Sequence, residues 1–325
     1  FSPATPGAAN AETGYAAPLG PVLFSKERGL YEEPFTVTLS NADATAQIWY
    51  TVDHSDPSPT NGTAKLYKGE AISITGTTIL RATAVKEGCV PCRNIQSHSY
   101  IFLSQVADQV KPACASNIWS DAHYCSYNNG FDKCQKIVSG DAAACPAEYG
   151  ISKTIVDGPE ARQRLVEALS VGTVLSITMS DTEMFDPETG LHSHPNTLDI
   201  DRAASIEWVT GNHVFGTDCG VAMQGGWARH FEITPKKSFR LKFRGRFGAS
   251  KLEVPVMDDV GCEQAEFKDL VLRGENNQSW GRYSNKGTSM ADQVLRDLQG
   301  EMSGYQAHGT HVHLYINGLY WGLYN

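Results

Sequence analysis

Two adjacent glycines and the cations that follow them are the residues of this sequence best suited to chemistry. Gly225 and Gly226 separate two predicted strands, and Arg229 and Lys237 come next. Glycines in such a turn let backbone N–H groups approach phosphate oxygens, because no Cβ intervenes. A lysine at the start of the next strand neutralises phosphate charge, and an arginine adds a bidentate contact. This layout is compatible with a phosphate-binding loop, whose candidate cofactor-binding residues are Gly225, Gly226, Arg229 and Lys237.

A plain hairpin turn beside a solvated strand is the alternative interpretation of the same stretch. Between Lys236 and Lys251 lie seven cations and no acid. By strand parity Lys237 shares a face with Phe239, whereas Arg240 and the other even-numbered cations point the opposite way. Lys237 is therefore the best candidate to face a cleft. The whole chain carries 27 basic and 36 acidic residues, a net charge of −9, which argues against a general nucleic-acid binder.

Histidines and acids form weaker candidate sites. His311 and His313 would share one face of a strand, but no adjacent cysteine or carboxylate completes a metal site. His192 and His194 fall in a polar segment that predicts a surface loop. Two acids from a nearby group of four could serve as the acid and base of a glycosidase. Acids at helix starts and in Asx turns are the alternative explanation for the same group, which is Asp181, Glu183, Asp186 and Glu188. No metal site is predicted.

Eight cysteines indicate an oxidising compartment. Four of them, at positions 114, 125, 134 and 145, have a spacing unlike that of a zinc knuckle, and Cys89 and Cys92 form a CxxC without a second pair. Disulfides are therefore favoured over zinc. The predicted location is secreted, extracellular or cell-surface. Sequons at Asn61 and Asn277 are compatible with it, and no apolar run is long enough to span a membrane.

Composition and periodicity divide the chain into four segments. Residues 1–20 predict a linker or the remnant of a preceding domain, and residues 21–103 predict an all-β sandwich of short strands. Residues 104–150 predict a Cys-rich connector. Residues 151–325 mix helices and strands, which predicts an α+β domain with a mostly antiparallel sheet. Its expected features include a helix with an apolar stripe, a Gly304 C-cap and an Asn317-Gly318 hairpin.

The 21–103 segment resembles the chitobiase/β-hexosaminidase C-terminal-type module. The resemblance rests on Ile48–Ser58, on Leu66-Tyr67-Lys68-Gly69 and on Thr77–Ala82. The family pattern has a glycine where this chain has His54. Such modules are Ig-like sandwiches that accompany secreted enzymes. Residues 1–10 resemble the end of a lamin-tail-type domain.

Several motifs of the second domain, in order, resemble the CotH family. They are Pro146–Ile151, Met179–Gly190, Cys219–Gly226, Lys236–Phe243 and Val312–Gly318. This family has an atypical protein-kinase-like fold, and some members transfer phosphate from ATP to secreted proteins. The resemblance therefore implies that ATP with Mg²⁺ is the cofactor of the whole protein, whose expected partners are secreted or surface proteins.

The family's catalytic acids follow the segment that matches 318–325. The chain is therefore expected to be the N-terminal part of a CotH-like domain and to lack phosphotransferase activity by itself. The alternative is a non-catalytic extracellular protein for adhesion, glycan binding or structural assembly. The terminal aromatic strand, Gly318–Asn325, also suggests self-association through an unpaired edge.

Overall fold

The structure, a computed structural model, consists mainly of β-strands with few helices. It describes residues 19–89, 95–110, 149, 151, 153–186, 188–193, 200–211, 213–226, 229, 236–274 and 287–325. The lamin-tail resemblance, most of the predicted linker and most of the predicted connector lie outside these residues. None of the helices in the described part is long and apolar enough to cross a membrane.

Nine short strands build the first domain. They form a five-stranded sheet in the order β2-β9-β8-β5-β6 and two small sheets, β1-β4 and β3-β7. Their apolar faces enclose one core, which includes Val37, Ile74, Leu80 and Tyr100. This arrangement is consistent with the predicted Ig-like sandwich. The strands are β1 (Leu23–Phe24), β2 (Gly29–Tyr31), β3 (Phe35–Val37), β4 (Leu39–Ser40), β5 (Gln47–Thr51), β6 (Lys65–Leu66), β7 (Ile72–Ile74), β8 (Thr78–Val85) and β9 (Gln96–Phe102).

One seven-stranded sheet dominates the second domain. Its order is β14-β13-β12-β11-β10-β15-β16, and only the β10–β15 pair among its described pairs is parallel. The sheet is therefore mostly antiparallel, as predicted. The strands are β10 (Thr173–Thr178), β11 (Asp201–Val209), β12 (Val214–Gln224), β13 (Ser238–Lys242), β14 (Asp269–Leu272), β15 (Val312–Ile316) and β16 (Leu319–Tyr324). The helices are α1 (Lys153–Val156), α2 (Pro159–Ser170), α3 (Asp181–Phe185) and α4 (Ala291–Ser303).

The interior strand β10 is buried along its whole length because both of its faces are covered. Leu175 and Ile177 lie in the core of the second domain. On the opposite face Val174 packs against the first domain, and the Ser176 hydroxyl lies 2.9 Å from the Ser99 hydroxyl. The strand consequently lacks the apolar–polar alternation of a half-exposed strand.

An apolar layer joins the two domains. It combines the end of β9 and the following 3₁₀ helix, Leu103–Asp108, with α2 and the sheet of the second domain. Its buried members are Ile101, Leu103, Val106, Leu169, Val174 and Tyr315. Because these residues come from both domains, folding of the first domain covers apolar surface of the second.

The two edge strands of the seven-stranded sheet meet just beyond their ends. The Arg273 N–H donates to the Asn325 carbonyl at 2.7 Å, and the Asn325 N–H donates to the Arg273 carbonyl at 3.2 Å. These residues directly follow β14 and β16. The sheet therefore curls until its first and last strands exchange a pair of backbone hydrogen bonds.

Side chains cover further backbone groups of β16. The Gln109 amide accepts a hydrogen bond from the Tyr320 N–H and donates one to the Tyr320 carbonyl, both at 2.9 Å. The Lys236 ammonium donates to the Leu323 carbonyl. The terminal strand is therefore not the fully unpaired edge that the sequence predicts, and self-association stays a prediction.

The cysteines in the described part are free thiols, contrary to the disulfide prediction. Cys219 and Cys262 are buried and Cys89 is half-buried. Cys219 lies in β12 among the apolar side chains of the core, where it acts as a small hydrophobic residue. Burial raises the pKa of its thiol. The other five cysteines, including the four of the predicted connector, lie outside the described residues.

Candidate functional site

The predicted phosphate loop joins β12 to β13 at one end of the sheet. Gly225 follows β12 directly and has φ +98°, a conformation that side chains rarely tolerate. A Cβ added at Gly226 would meet no atom within 4 Å. The loop thus needs glycine at its first position for conformation, while the second position has free space beside it.

Hydrogen bonds connect three of the four predicted site residues. The Arg229 N–H donates to the Gly226 carbonyl at 3.0 Å, and the Lys237 ammonium donates to the Arg229 carbonyl at 2.8 Å. The Arg229 guanidinium donates to the carbonyl of Met223 in β12 at 3.1 Å. The two cations therefore hold the described part of the loop to itself and to the strand before it.

Lys237 lies on the inner face of the sheet, as strand parity predicts. Its side chain is 0% exposed, like that of Phe239, whereas Arg240 is half-buried. The Tyr324 hydroxyl donates to the Lys237 carbonyl at 2.9 Å, which fastens the start of β13 to the terminal strand. In this arrangement the ammonium group contacts loop backbone, and a phosphate would have to compete with that contact.

Lys236 was not among the predicted site residues, yet it stands beside them. Its ammonium group lies 4.3 Å from the centre of the Tyr324 ring and donates to the Leu323 carbonyl. Lys236, Lys237 and Arg229 therefore bring three cationic residues to this end of the sheet.

The remaining cations of the basic run have acidic or amide partners on the outer face. Arg240 donates to Gln224 at 2.8 Å, and Arg246 donates to Asp201 at 2.6 Å. Lys242 lies 3.7 Å from the same Asp201 carboxylate. Burial acts against ionisation of Asp201, but the Arg246 hydrogen bond and the charge of Lys242 prevail and lower its pKa. These cations are thus a paired strand surface, as the alternative interpretation predicts for the even-numbered positions.

Three of the four acids considered for glycoside hydrolysis make structural contacts. Asp186 accepts hydrogen bonds from the backbone N–H groups of Glu188 and Thr189, at 2.9 and 2.8 Å, and so forms an Asx turn. Glu183 lies 3.9 Å from Arg202. Asp181 is buried at the start of α3 and faces the first domain.

The histidines do not assemble a metal site within the described residues. His311 lies near the Ser289 carbonyl at 3.1 Å, and His313 lies 3.2 Å from the Tyr320 hydroxyl. Burial lowers the pKa of His313. The surface location predicted for His192 is wrong, because its ring is buried between Phe185 and Trp321. His194 lies outside the described residues.

A buried polar junction between the domains escaped prediction. Asp181 accepts a hydrogen bond from the Asn317 amide at 2.5 Å, and its other oxygen lies 3.2 Å from the Nδ1 of His54. Asn317 also donates to the Met179 carbonyl at 2.9 Å and accepts from the Met179 N–H at 3.0 Å. His54 has φ +66°, so a left-handed turn of the first domain presents its ring to the second.

A second buried contact crosses the same junction. The carboxylate of Glu207, which is 1% exposed, lies 3.2 Å from Arg28. It accepts hydrogen bonds from the Ser99 N–H at 3.0 Å and from the Ser99 hydroxyl. Burial raises the pKa of Glu207, and Arg28 and Ser99 act in the opposite direction. No sequence signal identified this contact, since Glu207 lies within an otherwise ordinary strand.

A cleft of about 660 Å³ opens beside this junction. Hydroxyl, amide and imidazole side chains line it together with apolar ones such as Val52, Ile79 and Leu319, and Asp108 adds a carboxylate. Its described lining contains no lysine and no arginine. Its polar lining residues include His54, Thr77, Ser104, Gln105, Asp108 and Asn317.

Comparison with known proteins identifies the first domain. Residues 26–92 match the family described as the Chitobiase/beta-hexosaminidase C-terminal domain. The match lies within the 21–103 segment and includes His54, which confirms the resemblance for this module. Comparisons with curated proteins and with solved structures find no match to this chain.

Proposed function

We propose that the second domain binds the phosphate groups of a nucleotide at the β12–β13 loop, as part of a secreted or cell-surface CotH-like, kinase-like protein. The observation that supports this proposal is a series of hydrogen bonds: the Arg229 N–H donates to the Gly226 carbonyl, and the Lys237 ammonium donates to the Arg229 carbonyl, so two cationic residues adjoin the glycine turn. Gly225 has the positive φ that favours glycine, and glycine has no Cβ to obstruct a ligand beside the turn. Backbone N–H groups and fixed cations together are a recurrent anion-binding arrangement.

The residues present fit the phosphates of ATP better than they fit its metal ion. Gly225 and Gly226 would supply backbone N–H donors, and Arg229 and Lys237 would supply charge. Bound ATP would contribute a transferable phosphoryl group. No group of three acids, histidines or cysteines able to hold a metal occurs in the described part of the chain. We therefore assign no residue to Mg²⁺, and the proposal for this chain covers binding alone.

Thermal unfolding in the presence of nucleotides tests the proposal. We expect ATP and tripolyphosphate to raise the Tm and adenosine to leave it unchanged, because recognition is through phosphate. A ligand at 100 times its Kd stabilises the folded state by about 2.7 kcal/mol. Lys237→Met and Arg229→Gln should abolish the shift, whereas Lys242→Gln, on the paired outer face, should keep it. Stabilisation by adenosine equal to that by ATP would contradict the proposal.

Transfer of phosphate is a separate question. The expectation that the isolated chain has no phosphotransferase activity is tested with radiolabelled ATP and a protein acceptor. Metal-dependent labelling that is lost in Lys237→Met would overturn that expectation and would support the binding proposal at the same time.

The interdomain cleft supports a second candidate function, a non-catalytic role in extracellular glycan binding or adhesion. Its volume of about 660 Å³ is in the range of small-molecule sites, and such sites often lie between domains. Its hydroxyl and amide side chains, interspersed with apolar ones and accompanied by the Asp108 carboxylate, suit a hydroxyl-rich ligand that carries no negative charge. A glycan-array signal that is lost in Gln105→Ala but kept in Lys237→Met would favour this function over nucleotide binding.

A further inference from the structure

Helix α4 is attached to the second domain by its polar side. Asp292 pairs with Arg273 and Arg296 pairs with Asn325, at the point where the two edge strands meet. Arg296 also donates to the Ala307 carbonyl at 3.4 Å. The helix ends as the sequence predicts, because Gly304 adopts φ +74° and its N–H donates to the Gly300 carbonyl at 2.8 Å.

The apolar side of α4 faces outward instead of toward the core. No residue of the helix is buried. The side chains that form its apolar stripe are each more than half exposed, and they recur at helical spacing along one face. They are Met290 (55%), Val294 (51%), Leu295 (66%), Leu298 (52%) and Met302 (87%). An amphipathic helix in a soluble domain normally buries this stripe, so an exposed one marks an interaction surface.

The charged residues beside the apolar stripe indicate which kind of partner could bind it. Asp297 and Glu301, four residues apart and both exposed, form an acidic row along one flank. Arg296, the only basic residue of the helix, points toward Asn325 on the attached side. The free surface of α4 is therefore apolar with an acidic border and carries no cation of its own.

We propose that this face docks an amphipathic helix of a partner protein whose apolar stripe is bordered by lysine or arginine. Such a helix would bury the five apolar side chains and pair its cations with Asp297 and Glu301, in the manner of helix-in-groove recognition. A second copy of the chain fits less well. In a symmetric antiparallel pair the two acidic rows would lie on the same side, and α4 of the second copy offers no free cation to either row.

Peptide binding to the intact chain tests the proposal. Two labelled peptides of equal length carry the same leucine stripe at i, i+3, i+4 and i+7, one bordered by lysine and one by glutamate. We expect the lysine peptide to bind at least about tenfold more tightly by fluorescence anisotropy, because it supplies the complementary charge. The Leu295→Ser/Leu298→Ser double variant should weaken that binding by about tenfold or more, since both leucines lie in the stripe.

Matched variants separate this docking from general attraction to an acidic protein. Asp297→Asn/Glu301→Gln should weaken lysine-peptide binding, whereas Glu87→Gln/Glu263→Gln, which removes the same charge at exposed sites elsewhere, should not. Equal binding of both peptides, or equal loss in both acid variants, would overturn the proposal. So would a dimer in sedimentation equilibrium that disappears in the leucine variant, because the occupant would then be a second copy.

Discussion

His54 and Asp181 meet across the domain junction, with 3.2 Å between the imidazole Nδ1 and a carboxylate oxygen, and both side chains are buried. A left-handed backbone costs a non-glycine residue about 1–2 kcal/mol. His54 bears that cost, but its side chain makes a contact with the second domain that a glycine could not make. The residue that departs from the family pattern thus contributes one of the contacts that join the module to its neighbour.

Substitutions at this contact should be coupled. We expect Asp181→Ala to lower the free energy of unfolding by about 3 kcal/mol, because it leaves the buried Asn317 amide without its carboxylate acceptor. His54→Gly should cost less, since glycine removes the backbone strain. A double-mutant cycle in urea should give a coupling of about 1 kcal/mol between the two sites. Strict additivity would mean that His54 and Asp181 do not interact.

We expect substitutions of Arg28 and of Glu207 to lower the free energy of unfolding by different amounts. Arg28→Met leaves a carboxylate buried without its cation, which typically costs about 3–5 kcal/mol. Glu207→Gln leaves Arg28, whose side chain is 9% exposed, without its anion, but it keeps an oxygen that accepts from Ser99 and Arg28, so it should cost less than Arg28→Met. Chemical denaturation of both variants checks this order. Equal costs for the two substitutions would contradict the buried-charge explanation.

We expect His98 to make the folded state less stable in mild acid. Its ring stacks on Phe24 at 4.0 Å, and burial, assisted by the charge of Arg28, lowers its pKa to about 3. The unfolded chain binds the proton near pH 6.5, so the folded state is favoured above that pH and loses stability as the pH falls toward 3. The slope contributed by this one group is about 1.4 kcal/mol per pH unit.

The variant that removes this titration is His98→Phe. It keeps an aromatic ring against Phe24, and the Lys26 carbonyl still accepts from the Tyr100 hydroxyl at 3.1 Å. Urea unfolding between pH 7 and pH 4 should therefore show a shallower pH dependence in the variant than in the wild type. Identical pH profiles for the two proteins would show that folding does not lower the pKa of His98.

We expect the Gln109 side chain to limit association of the protein through its edge strand β16. Its amide occupies both backbone groups of Tyr320 on an edge strand, where open groups favour pairing with another chain. Gln109→Ala should raise light scattering on incubation at high protein concentration. Gln105→Ala, which removes a contact with the Thr77 N–H away from β16, is the matched control. Equal scattering by both variants would exclude the proposed edge protection.

Local signals predicted the features that depend on neighbours in sequence. Strand parity placed Lys237 inside, and Gly304 ends α4 with a left-handed residue, as the pattern of a C-cap requires. The Asn317-Gly318 hairpin forms between β15 and β16 with φ +49° and +79°. Each of these follows from backbone geometry within a few residues.

Features that depend on distant partners could not be predicted in this way. Nothing near His54 in sequence indicates Asp181, because 127 positions separate them. The buried free thiol of Cys219 shows why cysteine count alone misleads: its environment is apolar, and only tertiary packing reveals that. The apolar stripe of α4 likewise faces outward because Arg273 and Asn325, which are distant in sequence from one another, bind the polar side of the helix.

The amide resonances of Gly225 and Gly226 test the central claim most directly. In ¹⁵N-glycine-labelled protein, with assignments from single Gly→Ala variants, addition of ATP should shift both signals, because phosphate oxygens would accept hydrogen bonds from these N–H groups. Tripolyphosphate should produce the same shifts, and Arg229→Gln should reduce them. If ATP binds while both glycine signals stay unchanged, the β12–β13 loop is not the phosphate site.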